Sequence, residues 1–345
     1  MGDKNHKTRS VTIKDVAREA GVSYSMVSRV LNDYEHVKSD KRQRVLEAMQ
    51  RLGYTVNLQA RTLAGGRSQV IGLVVHDLGN PYTAQVVQSI DEELSLAGYE
   101  LILHTTHAHF QKEAVYVDML THGMTDGLLM LIPLGSTAYL EQLRARRFPY
   151  VIIADYQAFD DFSPMVTNVN WQGAYEATCL LINHGHRRIG FLAGRADFRS
   201  ARERLDAYEK ALQKHDIPLQ PELIQPGNYQ YSGGYHGTMS LLDLDVPPTA
   251  ILATNDTSAL GAYDAARGRG LRIPDDLSVI GFDDIPQSAY VHPALTTVRQ
   301  PLVEMGRQAA QLLLKYIEDP EQSVVRIILP AELVIRDSVC QAPSR

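Results

Sequence analysis

Hydrophobic and polar positions follow two different rhythms along this chain. Up to residue 56 the apolar residues recur three and four apart. Val16, Ala17 and Ala20 form one face, Val27, Val30 and Leu31 a second, and Val45, Ala48, Met49 and Leu52 a third. That spacing predicts three short amphipathic helices. Thr12 is placed to cap the first at Ile13, with Asp15 answering it as in a capping box. Gly21 suits the tight turn that follows, because glycine adopts left-handed backbone without steric cost. Ser23 is expected to cap the second helix, Tyr24 to Leu31, and Ser39 the third, Asp40 to Leu52, with Gly53 as its stop. Two short helices joined by a glycine turn and braced by a third describe a helix-turn-helix unit.

From residue 68 the pattern becomes continuous apolar runs separated by helical stretches. The runs are Val70–Val75, Leu101–Leu103, Leu128–Ile132, Tyr150–Ala154, Arg188–Ala193, Ile251–Ala253 and Val279–Phe282, with helices such as Ala84–Ala97 and Ala201–Gln213 between them. Uninterrupted apolar strands that alternate with helices predict α/β architecture with parallel sheets buried on both faces. The stretch is long enough for two such lobes. Thr296–Gln300 and Ile327–Ile335 follow the last full unit and are expected to cross back between them. Ligands of open α/β sheets bind at the carboxyl ends of strands, so two facing lobes make a closable cleft.

Charge adds a partner. Residues 1–67 hold 13 Lys/Arg against 7 Asp/Glu, whereas the rest hold 21 against 33. A basic module on an acidic body points to a polyanion at one end. In a helix-turn-helix the second helix enters the major groove and its first residues meet base edges. Here these are Tyr24, Ser25, Met26 and Arg29. Arg29 can grip guanine through two hydrogen bonds, and Met26 can pack on a thymine methyl. Lys38, Lys41, Arg42 and Arg44 suit phosphate contacts. The longest apolar run, Leu128 to Leu134, contains Pro133 and falls far short of the roughly 20 residues of a membrane span. The polar, basic N-terminus is no secretory signal, and two cysteines make no disulfide framework, so a cytoplasmic protein is expected.

Polar groups just after apolar strands are the cleft candidates: His76 to Tyr82, Asp155, Asn255-Asp256 and Asp283-Asp284, with Arg204 on the helix after the 188–193 strand. Planar polar side chains grip adjacent sugar hydroxyls, and an aromatic ring covers the apolar C–H face. Tyr82 and Tyr229 supply such rings, while Trp171 reads as a packing residue. His104, His107 and His109 resemble metal spacing but lack cysteine or clustered carboxylates, so no metal is expected. Gly268 and Gly270 form no dinucleotide fingerprint, and neither a nucleophile elbow nor a Walker loop occurs. No cofactor and no enzymatic activity are expected.

The run Val11-Thr-Ile-Lys-Asp-Val-Ala-Arg-Glu-Ala-Gly-Val-Ser-Tyr24-Ser-Met-Val-Ser-Arg29-Val-Leu-Asn32 resembles the signature of the LacI/GalR transcriptional regulators. So do Asn57-Leu-Gln-Ala-Arg-Thr-Leu63, Asn80-Pro-Tyr, Gly185-His-Arg-Arg-Ile-Gly-Phe-Leu-Ala-Gly194, Ala253-Thr-Asn-Asp256 and Val279-Ile-Gly-Phe-Asp-Asp284. The resemblance implies a two-lobed periplasmic-binding-protein-like fold behind the all-α reading head. It implies a DNA-binding domain at 1–56, a hinge helix and linker at 57–67, one lobe at 68–165 plus 299–330, and the other at 166–298 plus 331–345. Thr12, Ser23, Ser28 and Asn32 join Tyr24, Ser25, Met26 and Arg29 as DNA-facing residues. Asn57, Ala60, Arg61 and Leu63 join them from the hinge, where Leu63 is expected to wedge a base step in the minor groove. An isolated helix of seven residues is unstable in water, so the hinge is expected to order on DNA. Ser25 and Met26 depart from the best-known members, so no base preference carries over.

For the cleft the resemblance ranks Arg204, Asp283, Asn255 and Tyr229 first, then Asn80, Tyr82, Thr83, Asp155 and Ser200. It implies a homodimer on a pseudo-palindromic operator, acting as a repressor under a small sugar-like effector, with no membrane partner. The alternative is a corepressor mode with a purine or phosphorylated metabolite. A solute-binding protein or an enzyme on the same scaffold is a lesser alternative.

Overall fold

The computed structural model describes residues 11–31, 34, 36–54, 67–107, 109–134, 137–153 and 162–343. The expected hinge helix and the candidates Asn32, Asn57, Ala60, Arg61, Leu63 and Asp155 lie outside them. The chain divides into two compact units after Ser68.

The first unit is three helices: α1 Ile13–Ala20, α2 Tyr24–Leu31 and α3 Ser39–Leu52. The Asp15 carboxylate accepts from the Thr12 backbone N–H at 3.0 Å and from its hydroxyl at 2.6 Å, which anchors the start of α1. Gly21 closes α1 at φ +62°, where a side chain would be strained. The Ser23 hydroxyl accepts from Met26 N–H at 3.2 Å and caps α2. The third expected cap differs: Ser39 is already helical, and Lys38 occupies the cap position without a side-chain bond. Val16, Ala17, Ala20, Val27, Val30, Val45 and Ala48 form the small core, with Leu31, Met49 and Leu52 packed at its rim.

The second unit holds two six-stranded sheets. The first contains β1 Val70–Val75, β2 Glu100–Thr105, β3 Gly127–Leu131, β4 Tyr150–Ile153, β5 Met165–Asn168 and, late in the chain, β11 Arg326–Leu329. Its helices are α4 Pro81–Leu96, α5 Phe110–Thr121, α6 Thr137–Ala145 and α12 Leu302–Glu318. The second sheet contains β6 Ile189–Ala193, β7 Ile224–Pro226, β8 Ala250–Ala253, β9 Ser278–Asp283, β10 Thr296–Arg299 and β12 Glu332–Val334. It carries α7 Asn170–Asn183, α8 Arg199–Lys214, α9 Tyr231–Leu242, α10 Asp256–Gly268 and the short α11 Pro286–Tyr290. The spatial orders are β2-β1-β3-β4-β5-β11 and β7-β6-β8-β9-β10-β12. Every pair is parallel except β10–β12.

Parallel strands covered on both faces must be apolar throughout, and all six residues of β1 are buried. One face of the first sheet packs Leu73, Leu129 and Val151 on Ile90, Met305 and Leu313. The other packs Val74, Met130 and Ile152 on Leu120 and Leu143. The strands β5 and β7 are too short and too polar to stand out as apolar runs. The single run expected over Ile327–Ile335 is two strands, one in each sheet, parted by Pro330, which has no N–H for a ladder.

The chain therefore passes between the sheets three times: at residue 169, at residues 300–301 and at residues 330–331. Because β5 runs to Asn168, the first passage falls three residues beyond the expected division at 165.

Candidate functional site

Strand order places the site. β1 lies between β2 and β3, and β6 between β7 and β8. At these positions successive connections leave in opposite directions, which opens a crevice at the carboxyl ends of the strands. A cavity of about 340 Å³ lies there, lined by residues at or just beyond the ends of β1, β3, β5, β6, β7, β8, β9 and β10. Small-molecule sites span about 300–1,000 Å³.

Arg204, on α8, is the buried centre of the site, 4% exposed. Its Nε and Nη2 donate to Asn170 Oδ1 at 3.2 and 2.7 Å, and its Nη1 donates to the Thr254 carbonyl. The same nitrogen stands 4.0 Å from Asp283 Oδ1, and the guanidinium lies over the Phe282 ring at 3.6 Å. Gln300 Nε2 donates to Asp283 Oδ1 at 2.5 Å. Burial pushes the Asp283 carboxyl well above the usual carboxylate range, against the opposing pull of Arg204. Asp283 also sits at φ +127° and Asp284 at φ +59°. Non-glycine residues held there cost about 1–3 kcal/mol each and persist where the surroundings over-determine them.

Tyr229 forms the wall. Asn228 and Tyr229 both have positive φ, +52° and +61°, which turns the ring back over β6. Gly194 makes room: a Cβ there would strike the Tyr229 ring. The Tyr229 hydroxyl meets Ser200 Oγ at 3.0 Å, and Phe198 stacks on the ring at 5.8 Å. Asn255 caps α10, accepting from Ser258 N–H at 3.0 Å, and its Nδ2 donates to the Tyr229 carbonyl at 3.2 Å. From the first sheet, Asn80 caps α4 by accepting from Tyr82 N–H at 3.0 Å, and Tyr82 and Thr83 are buried behind it.

Asn80, Tyr82, Thr83, Ser200, Arg204, Tyr229, Asn255 and Asp283 thus all line one cavity. Two neighbours do not. Asp256 is saturated elsewhere, accepting from Ile285 N–H, Ser288 Oγ and Thr297 Oγ1 at 2.9, 2.7 and 2.5 Å. Asp284 pairs with Arg299 and Arg336, each at 2.6 Å. Trp171 stacks on Tyr175 and donates to Asp206 Oδ2 at 2.7 Å, outside the lining. Sequence reasoning missed Asn168, Asn170, Arg195, Phe198 and Gln300. Only their places at or just beyond strand ends could have marked them.

In the first unit Tyr24, Ser25 and Arg29 are exposed on α2, with Met26 and Ser28 half-buried beside them and Thr12 exposed at the start of α1. Arg29 lies 5.9 Å from the Tyr34 ring centre. Arg44, expected on phosphate, donates instead to the Ala20 carbonyl at 2.7 Å and ties α3 to the end of α1. His104 stacks on Tyr116, His107 bonds Thr105, and His109 bonds the His107 carbonyl. Among the described residues no group of His, Cys, Asp and Glu could hold a metal ion. No described helix is long and apolar enough to cross a membrane.

These features recur in known proteins. Residues 12–57 match the model of bacterial regulatory proteins of the lacI family, and residues 179–339 match a periplasmic binding protein-like domain. The HTH-type transcriptional repressor PurR of Histophilus somni is 35% identical over 328 residues, 95% of this chain and 98% of its own. A lac repressor dimer bound to operator and the anti-inducer ONPF superposes with a TM-score of 0.83 at 31% identity, covering 96% of this chain and 100% of that one. A complex of the transcriptional regulator CelR with cellobiose gives 0.73 at 30% identity, covering 95% and 99%. With a family match over its first unit and a relative 35% identical over 95% of its length, this chain belongs to the lacI family of bacterial regulatory proteins.

Proposed function

We propose that this chain is a sequence-specific transcriptional repressor that releases or changes its grip on DNA when a small, uncharged sugar fills the cavity. One observation carries the sugar reading: the charged groups deep in the cavity are already engaged with partners of the protein. Arg204 is held by Asn170, Thr254 and Asp283, and Arg195 by Asp197. Such a lining offers many directional groups to hydroxyls, while both guanidiniums already have protein partners that a phosphate would have to displace. The Tyr229 and Phe198 rings supply an apolar wall. A relative bound to cellobiose supports the same class.

In this reading residues 1–56 read the major groove through Ser25, Met26 and Arg29, and 57–67 link them to the lobes. The two lobes, divided at residues 169, 300–301 and 330–331, close on the effector. Two heads of a homodimer meet half-sites about one helical turn apart on a pseudo-palindromic operator. Such a protein works in the cytoplasm and has no catalytic step: the cavity holds and senses. A ligand shifts the balance of two states only through unequal affinity for them.

A thermal-shift screen of neutral sugars, sugar phosphates and purines tests the ligand class. Saturation at about 100 times the dissociation constant stabilises by about 2.7 kcal/mol. Stabilisation by a neutral sugar is the expected result, whereas a response confined to purines or phosphates overturns it. Selection of duplexes from random DNA tests the reader, and recovery of no inverted repeat would overturn that half.

A further inference from the structure

One contact in the cleft joins the two lobes directly. His76 follows β1 of the first sheet, and Arg195 follows β6 of the second. Arg195 Nη1 lies 3.3 Å from His76 Nε2. Asp197 grips Arg195 from behind, with Nε to Oδ1 at 3.0 Å and Nη2 to Oδ2 at 2.5 Å. The Phe198 ring lies under the guanidinium at 4.8 Å and meets the His76 ring edge-on at 6.1 Å. Carboxylate and ring together fix the guanidinium plane, so its third nitrogen aims across the cleft.

We propose that Arg195 and Asp197 are positioning residues that latch the two lobes together through a hydrogen bond to a neutral His76, so that closure of the effector site is lost in acid. The proposal rests on the cleft being an effector site and deepens it by adding a control on its closure.

The chemistry is one-sided. A guanidinium has donors and no acceptor, so His76 Nε2 must supply the lone pair. The neutral ring then carries its proton on Nδ1. Protonation removes the lone pair and sets a second cation against Arg195. Burial first and Arg195 second hold His76 below the ordinary histidine value, against the opposing pull of Asp77 and Asp197. Among the described residues these three charges are the ones that act on the ring. The sign follows from linkage. A group whose value is lower in the closed state stabilises that state above its open-state value and ceases to do so as pH falls through the closed-state value.

The test uses the full chain without DNA or sugar. Spin labels go on exposed helix positions of the two lobes, Glu141→Cys and Gln213→Cys, with Cys179→Ser and Cys340→Ser. Pulsed electron-spin distances are compared at about pH 7.5 and about pH 5.5, either side of the ordinary histidine pKa of about 6.5. With labelled chain diluted into a large excess of unlabelled chain, so that a dimer carries one labelled protomer, the expected result is a dominant short distance at the higher pH and a several-fold larger long-distance population at the lower. His76→Gln keeps an acceptor and cannot titrate, so it should stay short at both. His76→Leu should show the long population at both, and Asp197→Asn should blunt the pH response. Nitrogen-15 histidine spectra of the unsubstituted chain give an independent reading: His76 as the Nδ1–H tautomer at the higher pH. A pH-independent distance in the parent, an unchanged response in His76→Gln, or an Nε2–H tautomer would each overturn the latch. None of these outcomes depends on the ligand or the operator, so a failed sugar screen and a failed latch remain separate results.

Discussion

The two lobes share one winding and divide the labour of the cleft unequally. Apart from His76 and Asp77, the first lobe meets the cavity with groups that are neutral or already spent on local structure: Asn80 on its helix cap, Tyr82, Thr83, Ile132 and Asn168. The second lobe brings the buried ions, Arg204 and Asp283, and two adjacent pairs of positive-φ residues, Asn228-Tyr229 and Asp283-Asp284, against Ile132 at φ +49° on the first lobe's wall. Strain and desolvated charge persist only where packing over-determines them. The contrast teaches that most of the strain and desolvated charge at the cleft is concentrated on one side.

The strongest challenge to that contrast is Arg204→Ala. It strips a buried guanidinium from Asn170, Thr254 and Asp283. Removing one partner of a buried ion pair costs about 3–5 kcal/mol, and the low end is expected here because Asp283 can take up a proton. Effector response should vanish while operator binding at permissive temperature persists, as read by gel shift with and without sugar. An intact response would move the anchor elsewhere.

Asp256→Ala separates architecture from recognition within the same lobe. It orphans the donors of Ile285, Ser288 and Thr297, for a cost of about 3 kcal/mol summed over the three. A urea midpoint shift with sugar affinity kept in the folded fraction is the expected outcome. Loss of affinity without loss of stability would place Asp256 in the site after all.

Asp283→Asn should act in the opposite direction. Its carboxyl is raised by burial, so the folded state holds the proton more tightly than the unfolded chain. That contribution is present below the unfolded value and is lost as pH rises through the folded one. The variant should therefore unfold at a higher temperature than the parent at neutral pH. The advantage should shrink toward the ordinary carboxylate range, and sugar binding should weaken throughout.

On the first lobe, Asn80→Ala removes a helix cap and should cost about 1 kcal/mol. A change in effector affinity much smaller than that of Arg204→Ala would sharpen the contrast, and an equal one would break it.

The reading head was legible because its logic is local. Thr12 and Asp15 stand three apart, Gly21 ends what they begin, and Val16, Ala17 and Ala20 follow one helical stripe. The eight described cleft candidates were legible for a different reason: strand ends announce themselves in an α/β pattern, and the family resemblance ranked the positions. What escaped is non-local. Nothing near Asn170 in the chain says that Arg204 will reach it, and Asp256 looks as available as Asn255 until Thr297 reaches it from β10, two strands away. The Arg195–His76 contact spans 119 residues. Lys38 in place of Ser39 at the start of α3 shows the finer limit, since two adjacent polar residues can each begin a helix.

The three passages between the sheets, at residues 169, 300–301 and 330–331, have a mechanical corollary. Three short tethers side by side resist sliding and stretching, which leaves rotation about the line that joins them as the soft direction. Asn168, Asn170 and Gln300, all at this line, also line the cavity. A molecule seated there presses close to the fulcrum, where a small displacement becomes a large sweep at the far rims of the lobes.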